Sequence, residues 1–352
     1  MELFDPSPHA LAVLLVSATD AADAARVAAA LAGRSGRPPE DVVDPPGDSV
    51  RLAEELAAEL GREADAGRRG VSVVALDPLA DTLEVGLVLE HLCTRRGGTA
   101  PRVAVLDVVA VTSVDEILDV LVGRDGSSPA GDAGVAERLA SRIEFASLVV
   151  LAGRRGARAS TPADDTVAVD LVHALAPSAQ VVRPHETCRL SYRLIPGRAH
   201  ALAASMGWQR ALNGTGRGAG RTDPVQEFVF RDPLPLHPGR LAVAVRDELV
   251  PERVGRILRS RGLVRLATRA DRVGSWSIAG DVLSLDPTAI PSWDADAPLG
   301  QELAFFGLDL DADALTDVLN RCLLTPNELL LGPQFWAGID DPFPAWEQEH
   351  HH

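Results

Sequence analysis

The sequence predicts an α/β protein: a parallel-sheet domain in the first half and a smaller α+β domain in the second. Three observations carry this. Apolar runs of strand length alternate with amphipathic, alanine-rich stretches as far as Arg183. Those runs are continuously apolar, the pattern of strands buried on both faces of a parallel sheet. Beyond the Gly/Arg-rich stretch Asn213–Arg221 the strands become short and turn-bounded, which is the pattern of a mostly antiparallel sheet. At ~100–200 residues per domain, 352 residues fit two domains.

The elements follow in order. Ala10–Ser17 (ALAVLLVS) reads as a buried strand, and Asp20–Ala32 as an alanine-rich helix stopped by Gly33. Val50–Ala66 is a helix, Gly70–Leu76 a strand, Thr82–Leu92 a helix, Arg102–Val111 a strand and Val114–Val122 a helix. After the Gly/Ser loop 123–134 come a helix at Val135–Ile143, a strand at Ala146–Ala152, a helix at Asp164–Ala176 and a short strand at Ala179–Val182. Each crossover is expected to be right-handed. Residues 184–224 read as irregular. Strands are then expected at Gln226–Arg231, Gly262–Thr268, Ser275–Ala279, Val282–Leu285 and Glu302–Phe306, with helices at Pro238–Leu249 and Asp311–Arg321. The resulting organisation is a domain over 1–183, a connecting segment and linker over 184–224, a second domain over 225–346 and a His-containing tail over 347–352.

Composition removes several function classes. All 34 basic residues are arginine, so a phosphate-gripping, Schiff-base or general-base lysine is excluded. Asparagine occurs only at Asn213, Asn320 and Asn327. With 50 acidic residues the formal net charge is −16, the wrong field for direct nucleic-acid or anionic-membrane binding. Cys93, Cys188 and Cys322 form no C-x-x-C pair and no even framework, which fits a reducing cytoplasm. Met1–Pro8 carries no basic segment, and no apolar run approaches the ~18 residues needed to span a bilayer.

The C-terminal half carries an ordered set of motifs. It runs from Glu227-Phe228-Val229-Phe230 through Pro235-Leu236-His237-Pro238-Gly239-Arg240-Leu241 to Arg259-Ser260-Arg261-Gly262. Leu266-Ala267-Thr268-Arg269, Trp276-Ser277-Ile278-Ala279-Gly280 and Trp293 follow. The set ends with Cys322-Leu323-Leu324-Thr325, Glu328, Trp336 and Asp341-Pro342-Phe343-Pro344-Ala345-Trp346. In order and spacing this closely resembles the C-terminal domain of the CobW family of P-loop GTPases, implicated in zinc and other metal homeostasis. Leu236, in place of the usual aromatic, is a mild departure. The resemblance implies a P-loop GTPase-like parallel-sheet domain ahead of this CobW C-terminal domain.

Against that expectation the nucleotide motifs have lost their chemistry. The strand-to-helix turn that should read G-x-x-x-x-G-K-[ST] is Ser17-Ala18-Thr19-Asp20-Ala21-Ala22-Asp23-Ala24. Ser17 and Ala22 stand for the glycines, Asp23 for the lysine and Ala24 for the magnesium-binding hydroxyl. Glycines let backbone N–H groups curl around phosphate, and lysine offsets phosphate charge. Two like charges ~4 Å apart instead repel by about 4 kcal/mol at an effective dielectric of 20. Asp20 as N-cap and Asp23 at the third helical position suit a helix start that has no anion on it. The family's C-x-C-C site falls near Pro45–Val50, which has no cysteine. The acidic residue after the next strand falls in Ala75–Pro78, where Asp77 is out of register. The base-reading N-K-x-D falls at Ala152-Gly153-Arg154-Arg155. Four losses point to a pseudo-GTPase, so no cofactor is expected, with zinc left open.

Other candidates are weaker. Gly214-Thr215-Gly216-Arg217-Gly218-Ala219 matches G-x-G-x-x-A formally but follows no strand, so it reads as a linker. His185 and Cys188, with His173 or His200 nearby, offer metal donors but no closed four-ligand set. Cys322 reads as a core thiol and His237 as a residue orienting a helix start, with an interface role the alternative. His237, Arg240 and Trp346 form a candidate interaction surface; among the late aromatics, Trp336 reads as packed and Trp346 is left open. Asp309-Leu310-Asp311-Ala312-Asp313 lacks the glycine and glutamate of an EF-hand loop. His350, His351 and His352 are either a native metal-binding tail or the remnant of a purification tag.

The sharpest expectation is a non-catalytic, cytoplasmic adaptor in zinc homeostasis acting on a protein partner, either ribosomal or a zinc-dependent client. Relatives with a similarly decayed P-loop imply recruitment of a hibernation factor to ribosomes under zinc limitation, and the acidic charge favours a basic protein surface. The alternatives are an active GTPase metallochaperone with an atypical site and a zinc buffer using the histidine tail.

Overall fold

The computed structural model describes residues 11–35, 40–41, 48–95, 103–123, 134–152, 161–189, 197–216, 223–295 and 297–346. The chain divides into two compact units, residues 1–120 with 131–207, and residues 121–130 with 208–352.

The first unit is built on a six-stranded parallel sheet. Its elements are β1 (Leu11–Ala18), α1 (Ala21–Ser35), β2 (Glu40–Asp41), α2 (Ser49–Asp65), β3 (Gly70–Ala75) and α3 (Thr82–Arg95). Then come β4 (Val103–Ser113), α4 (Val114–Ile117), α5 (Gly134–Glu144), β5 (Leu148–Ala152), α6 (Pro162–Leu175), β6 (Gln180–Val182) and α7 (Arg198–Ala204). Strand order is β2-β3-β1-β4-β5-β6. The chain leaves β1 towards one edge and β4 towards the other, and ligands of open α/β sheets bind beside such a reversal, at the strands' carboxyl ends.

Every residue of β1 is buried, as its unbroken apolar run requires. Ala24, Val27, Ala28 and Leu31 of α1 cover Ala12, Leu14, Val16 and Ala18 on one face. Helices α3 and α5 pack on the sheet, and α2 packs along α3 with Leu52, Leu56 and Leu60 buried. A bulge in the β1–β4 ladder after Val13 skips Leu106. The Asp107 carboxylate beside it accepts from Arg198 Nε at 3.0 Å and Nη2 at 2.7 Å, which ties α7 to β4.

The helix α8 (Gly207–Leu212) precedes the second unit's sheet. That sheet holds β7 (Val225–Asp232), β8 (Arg256–Val264), β9 (Arg272–Ala279), β10 (Val282–Pro291) and β11 (Gln301–Leu308), antiparallel in the order β10-β9-β8-β11-β7. The helices are α9 (Pro238–Asp247), α10 (Pro251–Val254), α11 (Ala312–Cys322), α12 (Pro326–Leu331) and α13 (Pro333–Trp336). Leu241 of α9 and Leu315, Val318 and Leu319 of α11 join Trp276, Leu303 and Phe305 in one core. Trp276 meets Phe305 edge-on at 6.4 Å and donates its indole N–H to Ser260 Oγ at 2.9 Å, so its polar atom is satisfied inside the core. Leu236 is fully buried and bridges both Leu266 and Leu323, a position where an aliphatic residue packs well.

Four expectations need correction. Residues 184–224 are not irregular throughout: they hold a 3₁₀ turn at Pro184–Arg189 and the helices α7 and α8. The strand expected at Gly262–Thr268 lies at Arg256–Val264, because its arginines hid an inward-facing pattern that includes the fully buried Arg259. The helix expected at Val114–Val122 is one α-turn that widens into a π-helical turn at Leu118–Val122. β10 runs to Pro291 through Pro287, which an edge strand tolerates because its outer N–H groups need no partner.

Candidate functional site

The site to test is the turn from β1 into α1, beside the reversal of the strand order. Asp20 closes it from within. Its carboxylate accepts from Ala22 N at 2.7 Å, and its carbonyl accepts from Asp23 N at 3.1 Å and Ala24 N at 3.2 Å. Two of the backbone donors that a phosphate at a helix N-terminus would use, Ala22 N and Asp23 N, are therefore taken. The Asp23 carboxylate forms an ion pair with Arg26, one helical turn on. Ala24 is buried against the sheet, Ala22 is exposed, and Ser17 is buried with its hydroxyl unpartnered.

A residue that the sequence did not flag closes the turn from outside. Arg142, in the last turn of α5, is only 4% exposed. Its Nη1 donates to Thr19 Oγ1 at 3.0 Å, and its Nη2 donates to the Pro78 carbonyl. It thus ties the β1–α1 turn to the segment after β3, where Asp77 caps its own turn by accepting from Leu79 N at 2.7 Å. Burial pulls the guanidinium down to about 10, against the opposing pull of Glu116, with Asp77 and Asp81 contributing less. Neither of its acceptors is charged. The one sequence signal for it is an arginine three residues after Leu139, beside the helix's buried stripe.

The nucleotide implied by the resemblance does not fit these residues. Two of the turn's helix-start amides are occupied, the Asp20 carboxylate stands at the helix start where phosphate charge would lie, and a buried arginine bridges the two loops. Pro45–Gly47 and Gly153–Arg155 lie outside the described residues, so the C-x-C-C and N-K-x-D positions are characterised only in part.

The metal candidates do not converge. His185 is exposed on the 3₁₀ turn after β6, while the Cys188 side chain and His350, His351 and His352 lie outside the described residues. His200 Nδ1 lies 2.5 Å from the buried carboxylate of Glu90, which also accepts from Ala199 N and His200 N and so caps α7. Among the described residues no group of three His, Cys, Asp or Glu could hold a metal ion. Cys322 is a buried thiol donating to Val318 O at 3.3 Å, and burial pushes it up to about 11, far from a metal-ready thiolate.

His237, Arg240 and Trp346 all have partners within the second unit. His237 caps α9, its Nδ1 accepting from Arg240 N at 3.3 Å; burial, then the neighbouring Arg240, lowers its proton affinity. Arg240 grips Glu328 in a two-pronged bond at 2.9 and 2.8 Å and donates to Leu323 O at 2.7 Å. Those bonds hold the Glu328 carboxyl at about 2. Trp346 donates to Leu285 O at 2.9 Å, and Arg269 stacks on its ring at 4.5 Å. Trp336 is half-buried and donates to Glu328 O at 2.7 Å.

Comparison with known proteins matches residues 225–323 to the cobalamin synthesis protein cobW C-terminal domain. Zinc-regulated GTPase metalloprotein activator 1 of Dictyostelium discoideum is 27% identical over 164 residues, covering 40% of this chain and 34% of that protein. The chain thus spans about a third of that relative's length. The crystal structure of the Zn(II)-bound YjiA GTPase from E. coli aligns over 90% of this chain and 99% of its own, at 13% identity and a TM-score of 0.34. A Zn(II)-bound triple mutant of YjiA aligns similarly, at 12% identity and a TM-score of 0.33. The cobW C-terminal domain match thus covers the second unit's sheet and its α9–α11 helices.

Proposed function

We propose that this chain is a nucleotide-independent member of the CobW family, acting through protein contacts in zinc or metal homeostasis. The observation that carries the reading is Arg142, which joins Thr19 to the Pro78 carbonyl. In switch GTPases the γ-phosphate and its magnesium order the loops around the nucleotide. Here the Arg142 side chain joins two such positions, and Asp20 takes up two of the amides phosphate would need. The metal context rests on the relative's description as a zinc-regulated metalloprotein activator. The net charge of −16 favours a basic protein surface over nucleic acid. A cytoplasmic ribosomal protein or a zinc-dependent client meets that requirement, and recruitment of a hibernation factor under zinc limitation is the specific form proposed.

Affinity capture of the full chain from zinc-depleted and zinc-replete cells tests the adaptor role. The expected result is a ribosomal or metalloprotein partner enriched on zinc depletion. Recovery of neither sinks it. The second reading, a working GTPase with an atypical site, is favoured by the description of the Dictyostelium relative as a zinc-regulated GTPase metalloprotein activator. Magnesium-dependent GTP turnover by the purified chain would establish it.

A further inference from the structure

We propose that the second unit carries a binding site for a small carboxylate under its C-terminal strap. After α13 the chain folds back over the 3₁₀ turn Ala267–Arg269 and the start of β9. The strap and the turn line a cavity of about 410 Å³ that is open to solvent on one side. That volume lies within the ~300–1,000 Å³ typical of small-molecule sites.

The cavity's polar groups are unevenly satisfied. The Asp341 carboxylate is engaged within the fold, accepting from Thr268 Oγ1 at 2.6 Å, Arg269 Nε at 2.9 Å and Phe343 N at 3.1 Å. Arg269 is held rigidly by that bond, by Phe343 O at 3.1 Å from its Nη2, and by the Trp346 face. Its Nη1 is nevertheless buried without an acceptor. That nitrogen has no surface open to the cavity, so the donors offered to a ligand there are those of Arg272. Arg272 lines the same cavity, and no carboxylate among the described residues pairs with it. Phe343 and Trp346 supply apolar wall beside the two guanidinium groups. A donor fork beside an aromatic face matches a planar carboxylate on a small apolar body. The Asp271 carboxylate also lines the cavity and opposes an anion, so the site selects a single negative charge over a polyanion.

The test is an NMR titration of the full chain with benzoate, following the Trp346 indole signal assigned through Trp346→Phe, with benzyl alcohol as the uncharged control. The expected result is a saturable shift with benzoate and binding at least about tenfold weaker for benzyl alcohol. Arg272→Gln, which removes no side-chain hydrogen bond or ion pair among the described residues, is expected to weaken benzoate about tenfold while leaving the free protein's spectrum unchanged away from the cavity. The proposal is overturned if benzoate gives no saturable shift, if benzyl alcohol binds equally well, or if Arg272→Gln leaves benzoate affinity unchanged.

Discussion

Replacing Arg142 by methionine separates its role as a tie from its role as buried volume. Methionine keeps most of the side-chain bulk, so the cavity penalty is small. Two bonds from a charged donor are lost, each about 1.5–3 kcal/mol. Against this, burial has lowered the guanidinium from 12.5 to about 10, a cost to the charge of about 3 kcal/mol that methionine removes. The two effects nearly cancel, and the net loss of stability is expected at about 1–2 kcal/mol. The local effect is larger. Without the tie, the turn at residues 17–24 and the segment at 76–81 open independently, so their amides should exchange about 10–100-fold faster. Hydrogen exchange read by mass spectrometry, with thermal melts in parallel, measures both. Unchanged exchange in both segments with a markedly lower melting temperature would refute the reasoning, making Arg142 an ordinary core residue.

Three further outcomes follow from the second unit. The Glu328 carboxyl titrates at about 2 when folded against 4.5 when free, so its contribution is complete above about pH 4.5 and is lost as pH falls towards 2. Glu328→Gln should therefore lower stability by about 1–2 kcal/mol at pH 7 and by less near pH 2, read from denaturant melts at both pH values. Cys322, buried with its thiol near 11, should resist iodoacetamide at pH 8 in the native protein and react fully in denaturant, counted by mass spectrometry. Gly255 has φ +78°, and a Cβ there would lie 2.1 Å from Asp309 O, so Gly255→Ala should cost about 2–4 kcal/mol in thermal or denaturant melts.

The parallel sheet was legible because β1, β3, β4 and β5 are predominantly apolar runs, broken in β3 by Ser72 and in β4 by Asp107, and burial on both faces demands that composition. The features the sequence concealed depend on distant partners. Helix α7 starts where Glu90, 109 residues away, receives the Ala199 N–H. Strand β8 is rich in arginine, and the burial of Arg259 rests on tertiary bonds, among them those from its Nη1 to Ser277 Oγ at 2.8 Å and Ile278 O at 3.4 Å. At the candidate site the missing glycines, lysine and hydroxyl were visible residue by residue in Ser17–Ala24. The replacement was not visible, because Arg142 stands 123 residues from Thr19 and acquires its meaning only when α5 packs beside β1. The strap residues showed the opposite balance. Trp346 and Arg269 stood out as motif members, but their mutual stacking and the cavity beside them required the fold.

Titration of magnesium and GTP into the full chain, followed by calorimetry, tests the central claim most directly. With Asp20 on the turn's amides and Arg142 across its mouth, no saturable heat is expected up to about 1 mM nucleotide. Binding in the micromolar range would contradict the account and restore a working nucleotide site.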